Sequence, residues 1–168
     1  NLRSYPFPIA SNVYERPLKA AMRTFFYQRL GFPKKIPHAD LRWQDDAAFL
    51  GTNQDTEARY VNSNSDPRDM RGGWQDAGDT NKYVTFAHAA VHQLLTAYTD
   101  NPKAFTDDFN IPESGNGIPD LIDEVKFEID WLKRMQDDDG GVFIKLGTKD
   151  YKNAKKPSLD RRPRFYGP

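Results

Sequence analysis

Three stretches of this chain return apolar side chains at gaps of three and four residues, a helical period that constrains its architecture more than any other feature. In residues 14–30 the face is Leu18, Ala21, Met22, Phe25 and Phe26, with Pro17 suited to a first turn and Gly31 at the end. From about residue 80 to 99 it is Tyr83, Phe86, Ala87, Ala90, Val91, Leu94, Leu95 and Tyr98, before Asn101-Pro102 ends the helix. The third stretch opens at Pro119 and runs to about Gln136, with Leu121, Ile122, Val125, Ile129, Leu132 and Met135 in register and Trp131 on a flank. Asp120, Asp123 and Glu124 fill its first turn, where negative charge complements the helix dipole. Strand signal is confined to residues 142–146, a short strand or extended run. The fold class expected is therefore all-α.

The connections are long for an isolated three-helix bundle. Residues 32–65 hold no sustained period, residues 105–117 read as a loop, and residues 148–168 are basic and Pro-rich. His38, Trp43 and Tyr60 in the first of these are expected to pack rather than to function. The whole of residues 1–168 is expected to form part of one domain, with residues 1–12, interrupted by Pro6 and Pro8, as a linker.

Charge narrows the function classes. Lys+Arg and Asp+Glu each number 24, and that balance points to neither nucleic acid nor an anionic membrane as partner. Mean hydropathy is −0.82, and no apolar run approaches the ~18 residues that span a bilayer. With no cysteine, disulfides and thiolate metal sites are excluded, and no cofactor is implied. The chain opens at Asn1 without Met or an apolar leader, so any targeting segment is expected outside it. Nothing in the sequence selects a compartment.

The chemistry concentrates in residues 69–84. Asp76 and Asp79 are separated by Ala77 and Gly78, with Gly72 and Gly73 upstream and Trp74 between. Small residues beside two carboxylates leave room for a ligand or a water. Placed just before the second helical period, Asp79 is expected at or near the N-cap, where backbone N–H groups and the dipole favour an ionised carboxylate. Such a group can orient a water and take its proton. The same spacing also fits a simple helix cap at Asp79 and an Asx-turn at Asp76.

Other acidic and histidine patterns carry less. His88 and His92 stand at i, i+4, a spacing that suits metal, but no third ligand lies near them in sequence, and no metal site is expected. Residues 137–141, Asp-Asp-Asp-Gly-Gly, lack the spaced ligands of a calcium loop and read as a turn. No phosphate-binding Gly loop, nucleophile elbow or His-Glu-X-X-His motif is present.

The string Gly-Gly-Trp-Gln-Asp-Ala-Gly-Asp at 72–79, with Asp69 before it and Lys82-Tyr83-Val84 after, resembles the signature of glycoside hydrolase family 9. A second match runs from Asn116 to Glu124 and on through Trp131, Leu132, Met135 and Gln136. A third joins residues 140–145 to 162–166, so the resemblance covers most of the chain from Tyr14 onward. It implies an (α/α)6 barrel of about a dozen helices, incomplete in this chain, which matches the N-terminal part of the catalytic domain. It is most similar to the subgroup in which an immunoglobulin-like domain precedes the barrel. It further implies an inverting β-glycosidase acting on a β-1,4-linked glucan or related oligosaccharide. Asp79 would be the general base and Asp76 would help hold the attacking water. The general acid would come from the remainder of the same catalytic domain, leaving this segment inactive alone.

Departures from the family pattern bear on the substrate. Gln75 stands where an aromatic or His is common, Phe143-Ile144-Lys145 where the subgroup often has Tyr-His-Lys, and Asp150-Tyr151 is followed by no Trp. Loss of sugar-stacking groups favours shorter oligosaccharides, with exo-action on glucosamine oligomers as a variant. Other readings are a non-catalytic carbohydrate-binding or scaffold domain, or a calcium-binding helical domain. A polysaccharidase would be secreted or periplasmic; an oligosaccharide-specific exo-enzyme would also work in the cytoplasm.

Overall fold

The computed structural model describes residues 3–152 and 155–168; Asn1 and Leu2 of the expected linker, and Asn153 and Ala154 of the basic tail, lie outside the described residues. Three helices form where the period places them: α1 (Glu15–Gln28), α2 (Val84–Asp100) and α3 (Asp120–Arg134). Beside them lie four short strands, β1 (Arg59–Tyr60), β2 (Lys82–Tyr83), β3 (Lys145–Gly147) and β4 (Phe165–Gly167). They join in the order β1-β4-β3-β2, so the expectation of an all-α chain is corrected by a small sheet. Strands of two or three residues are too short to display the alternation by which strands are read from sequence. β4 pairs parallel with β1 and antiparallel with β3, which pairs antiparallel with β2.

Of the four buried apolar clusters among the described residues, the two largest join the helices and the sheet. Met22 of α1 and Leu121 and Val125 of α3 pack with Phe105 and Phe109 from the connecting loop, and Val91, Leu94 and Tyr98 of α2 close over them. Toward the C-terminal end of α3, Trp131 and Met135 meet Leu146 and Tyr166 of the sheet, with Ala58 and Met70. No residue of α2 is fully buried, and Phe86 on it is 59% exposed. Among the described residues no helix is long and apolar enough to cross a membrane.

The buried face of α3 is rotated from the expected one. Ile129 is partly exposed, whereas Trp131, expected on a flank, is a centre of the core. Gly73, at φ 75°, lies so close to the Trp131 ring that an added Cβ would sit 2.6 Å from it. The space beside the acidic motif that Gly73 provides is thus used by Trp131.

Asp120, Glu124 and Glu128, one turn apart, are buried with that face. Dipole complementarity alone does not account for them. Asp120 Oδ2 accepts from the Phe109 N–H at 2.5 Å and the Ser114 hydroxyl at 2.7 Å, pinning the preceding loop. Glu124 takes Arg29 Nε and Nη2, each at 3.0 Å, and the Trp74 indole N–H at 2.8 Å, which locks α1 to α3.

Glu128 is different. Its Oε2 accepts from the Trp74 backbone N–H at 2.7 Å, but its Oε1 has no partner among the described residues. Burial pushes its carboxyl up to about 8, with the Trp74 N–H and Lys82 opposing. A raised carboxyl contributes stability that is fully present below its unfolded pKa of about 4.3 and is lost as pH rises through 8. Glu128→Gln keeps an acceptor for Trp74 and removes the titration. It is expected to match the parent at about pH 4 and to exceed it by a few kcal/mol at about pH 9, read from denaturant midpoints. An equal difference at both pH values would sink this account.

Candidate active site

Asp76 and Asp79 occupy one tight loop between the core and β2. The loop is closed by the Asp76 N–H donating to Asn81 O at 2.9 Å and the Thr80 N–H to Ala77 O at 3.0 Å. Thr80 itself adopts φ 64°, a left-handed conformation that a β-branched residue rarely takes unless its surroundings impose it. Asp76 is exposed and Asp79 half-buried. The Asp76 carboxylate accepts no hydrogen bond from the described residues, so no Asx-turn forms there. Asp79 instead makes that short-range bond, its Oδ1 accepting from the Asn81 N–H at 3.1 Å and its Oδ2 from Asn81 Nδ2 at 2.8 Å.

The expected N-cap at Asp79 is also corrected. α2 begins at Val84, and its N-cap is Tyr83, without a side-chain cap. Residues Lys82 and Tyr83 are drawn into the sheet against Leu146 and Lys145, so the helix cannot start earlier. Asp79 owes its hydrogen bonds to Asn81 and not to a helix terminus.

Beneath the loop lies a fully buried ion cluster that sequence reading missed. Asp55 accepts from Lys82 Nζ at 2.7 Å and from Arg164 Nε at 2.8 Å, and all three side chains are shut off from solvent. The two cations then hold backbone on both sides of the acidic loop: Lys82 donates to Gly72 O at 2.6 Å, and Arg164 Nη2 to Thr80 O at 2.8 Å. Burial lowers the Lys82 ammonium from its usual range, Arg164 adds to that, and Asp55 opposes it. Lys82 and Arg164 both fall within the sequence motifs, but nothing in their spacing identifies Asp55 as their partner.

Around the loop, aromatic and polar groups converge. Burial, and then the charge of Asp79, push the Tyr83 hydroxyl up to about 12. Tyr151 is lowered by its hydrogen bond from Lys145, at 2.9 Å. A hollow of about 180 Å³ is lined by Asp76, Gln75, Trp74, Phe25, Phe86 and Glu128, among others, and Gln75 Oε1 is buried without a partner among the described residues. Trp43, expected to pack, is 62% exposed at a second hollow that it shares with Tyr27 and Gln75.

The remaining sequence candidates lie apart from this arrangement. His88 and His92 are exposed on α2. Asp137 accepts from Arg68 at 2.7 Å and closes a turn with Gly141, and Asp139 accepts from the Gly141 N–H at 2.8 Å. Those carboxylates serve the turn. His38 Nδ1 lies 3.1 Å from Asn110 Oδ1, and Tyr60 packs on Phe143 and Tyr166.

Comparison with known proteins gives a consistent result. The sequence profile of glycosyl hydrolase family 9 matches residues 14–166. Endoglucanase D of Acetivibrio thermocellus is 34% identical over 173 residues, covering 99% of this chain and 27% of that protein. A xyloglucan-specific endo-beta-1,4-glucanase of Bacteroides ovatus is 33% identical, covering 98% of this chain and 29% of that protein. The crystal structure of a metagenome-derived family 9 endoglucanase superposes with a TM-score of 0.82 at 34% identity, over 92% of this chain and 28% of that one. The chain thus spans less than a third of the length of each of these proteins.

Proposed function

The chain belongs to glycosyl hydrolase family 9, and from that premise we propose that it supplies the base-bearing part of an inverting β-glycosidase acting on β-1,4-linked glucan or related oligosaccharides. In this reading its three helices are part of an (α/α)6 barrel, and the rest of the domain covers the exposed face of α2. Asp79 takes a proton from water as that water attacks the anomeric carbon, and Asp76 holds the water in line. The acid that protonates the leaving oxygen must lie roughly 6.5–9.5 Å from the base to admit the water.

The observation that carries the reading is the loop itself. Asp79 is held at both oxygens, Asp76 is left without a partner among the described residues, and the two share one hydrogen-bonded turn of which Asp76 lines a hollow. Glu128, with its raised carboxyl, does not qualify as the acid, because it is buried and its Oε2 is taken by Trp74. The family resemblance implies that the acid comes from the rest of the catalytic domain, and the chain alone is expected to be inactive.

Trp43 offers an exposed ring on which a sugar can stack, whereas Gln75, which shares its hollow, stands where relatives commonly have an aromatic or His. That exchange favours short oligosaccharides over crystalline cellulose.

The test is hydrolysis of a panel of β-1,4-gluco-oligosaccharides and chitosan oligomers by the polypeptide carrying this chain with the rest of its domain. Turnover with inversion at the anomeric carbon is expected, and the preferred oligomer identifies the sugar. Binding without turnover on every sugar would replace the enzyme by a carbohydrate-binding domain.

A further inference from the structure

We propose that Asn81 is the positioning residue of the site, its side-chain amide fixing the direction in which the Asp79 carboxylate presents its free lone pairs. The inference rests on the assignment of Asp79 as general base and adds a residue to it.

Asn81 bonds to both acidic residues of the loop. Its carbonyl oxygen accepts the Asp76 N–H at 2.9 Å, its N–H donates to Asp79 Oδ1 at 3.1 Å, and its Nδ2 donates to Asp79 Oδ2 at 2.8 Å. One residue therefore sets the backbone of one carboxylate and both oxygens of the other. A lone carboxylate on an exposed turn would rotate freely about its terminal torsion. Two donors on its two oxygens remove that freedom.

The amide is itself held from behind. Asn81 is 0% exposed, and its Oδ1 accepts from the Thr148 N–H at 2.9 Å. Because a backbone N–H can only donate, the amide oxygen must face Thr148 and the NH2 must face Asp79, which settles the orientation of the side chain. Gly147 makes the approach possible, since a Cβ there would lie 1.9 Å from Asn81 Oδ1. On the other flank, Arg164 holds Thr80 O at 2.8 Å and so supports the left-handed turn that swings the Asn81 N–H back onto Asp79. These contacts join β2, the end of β3 and the buried ion cluster to one carboxylate.

The test is Asn81→Asp in the polypeptide carrying the rest of the domain. The substitution is isosteric and keeps an acceptor for Thr148, but it sets a second carboxyl against Asp79 Oδ2. Like-charge proximity favours the protonated form of the pair. The acidic limb of the kcat profile is expected to move up by about one pH unit or more, with KM within about twofold. An acidic limb that stays in place, with kcat within about threefold, would overturn the proposal, since a purely structural asparagine changes stability without moving that limb. If Asn81→Asp does not fold, Asn81→Ala removes the side-chain donor and keeps the backbone N–H. A fall in kcat of about tenfold or more at constant KM then supports the proposal, and kcat within about twofold overturns it. Asp79→Ala run alongside separates the two readings: if that variant stays active, the base assignment itself has failed.

Discussion

Asp79→Ala is expected to lower kcat by about a thousandfold while leaving KM within a few-fold. A positioned general base contributes typically 10²–10⁴ in rate. Asp79 touches the attacking water in this mechanism and not the sugar, so the loss falls on the transition state and leaves ground-state binding largely intact. The carboxylate is only half-buried, and no core packing depends on it. The variant should therefore fold, and its circular dichroism should match the parent. A nucleophile with no proton to surrender gives an independent check. Azide should restore turnover to Asp79→Ala and form a glycosyl azide of inverted anomeric configuration. Hydrolysis retained to within about tenfold of the parent would remove Asp79 from the mechanism.

Asp55→Ala is expected to cost about 3–5 kcal/mol of stability, measured as the loss in unfolding free energy by urea titration. Removing one member of a buried ion pair strands its partners, and here two cations are stranded together. Lys82 and Arg164 have no access to solvent, and one Arg164 nitrogen, Nη1, already lacks a partner among the described residues. The cluster also holds Gly72 O and Thr80 O, so the variant should lose the left-handed turn at Thr80 and activity with it. The contrast is Asp40→Ala, which breaks an exposed pair with Arg42 and should cost far less. Equal, small costs for both would show that the buried cluster is not what holds the loop.

Much of this was readable in advance, and the failures share a cause. The helical period located α1, α2 and α3, and the pair Asp76 and Asp79 stood out by its spacing among small residues. The start of α2 was misread because Thr80, Asn81, Lys82 and Tyr83 fit a first helical turn as well as they fit a turn and a strand. What decides is Leu146 and Lys145, which pair with Lys82 and Tyr83 from far along the chain. The acids of α3 were read as partners of the dipole because they cluster near its start. Their spacing of four, continued to Glu128 and toward Trp131, was a legible sign of a shared buried face.

By itself the sequence determined what depends on neighbours within a few residues: the helical period, the turn at residues 137–141 and the carboxylate pair. The tertiary structure alone decided the environment of that pair. Asp55 meets Lys82 across 27 positions and Arg164 across 109, and Asn81 meets Thr148 across 67. A buried charge is tolerated only where folding brings it an opposite charge, and an amide points a carboxylate only where something holds the amide. Neither condition is written in the spacing of any one segment, so the chemistry of the site was local in sequence and its geometry was not.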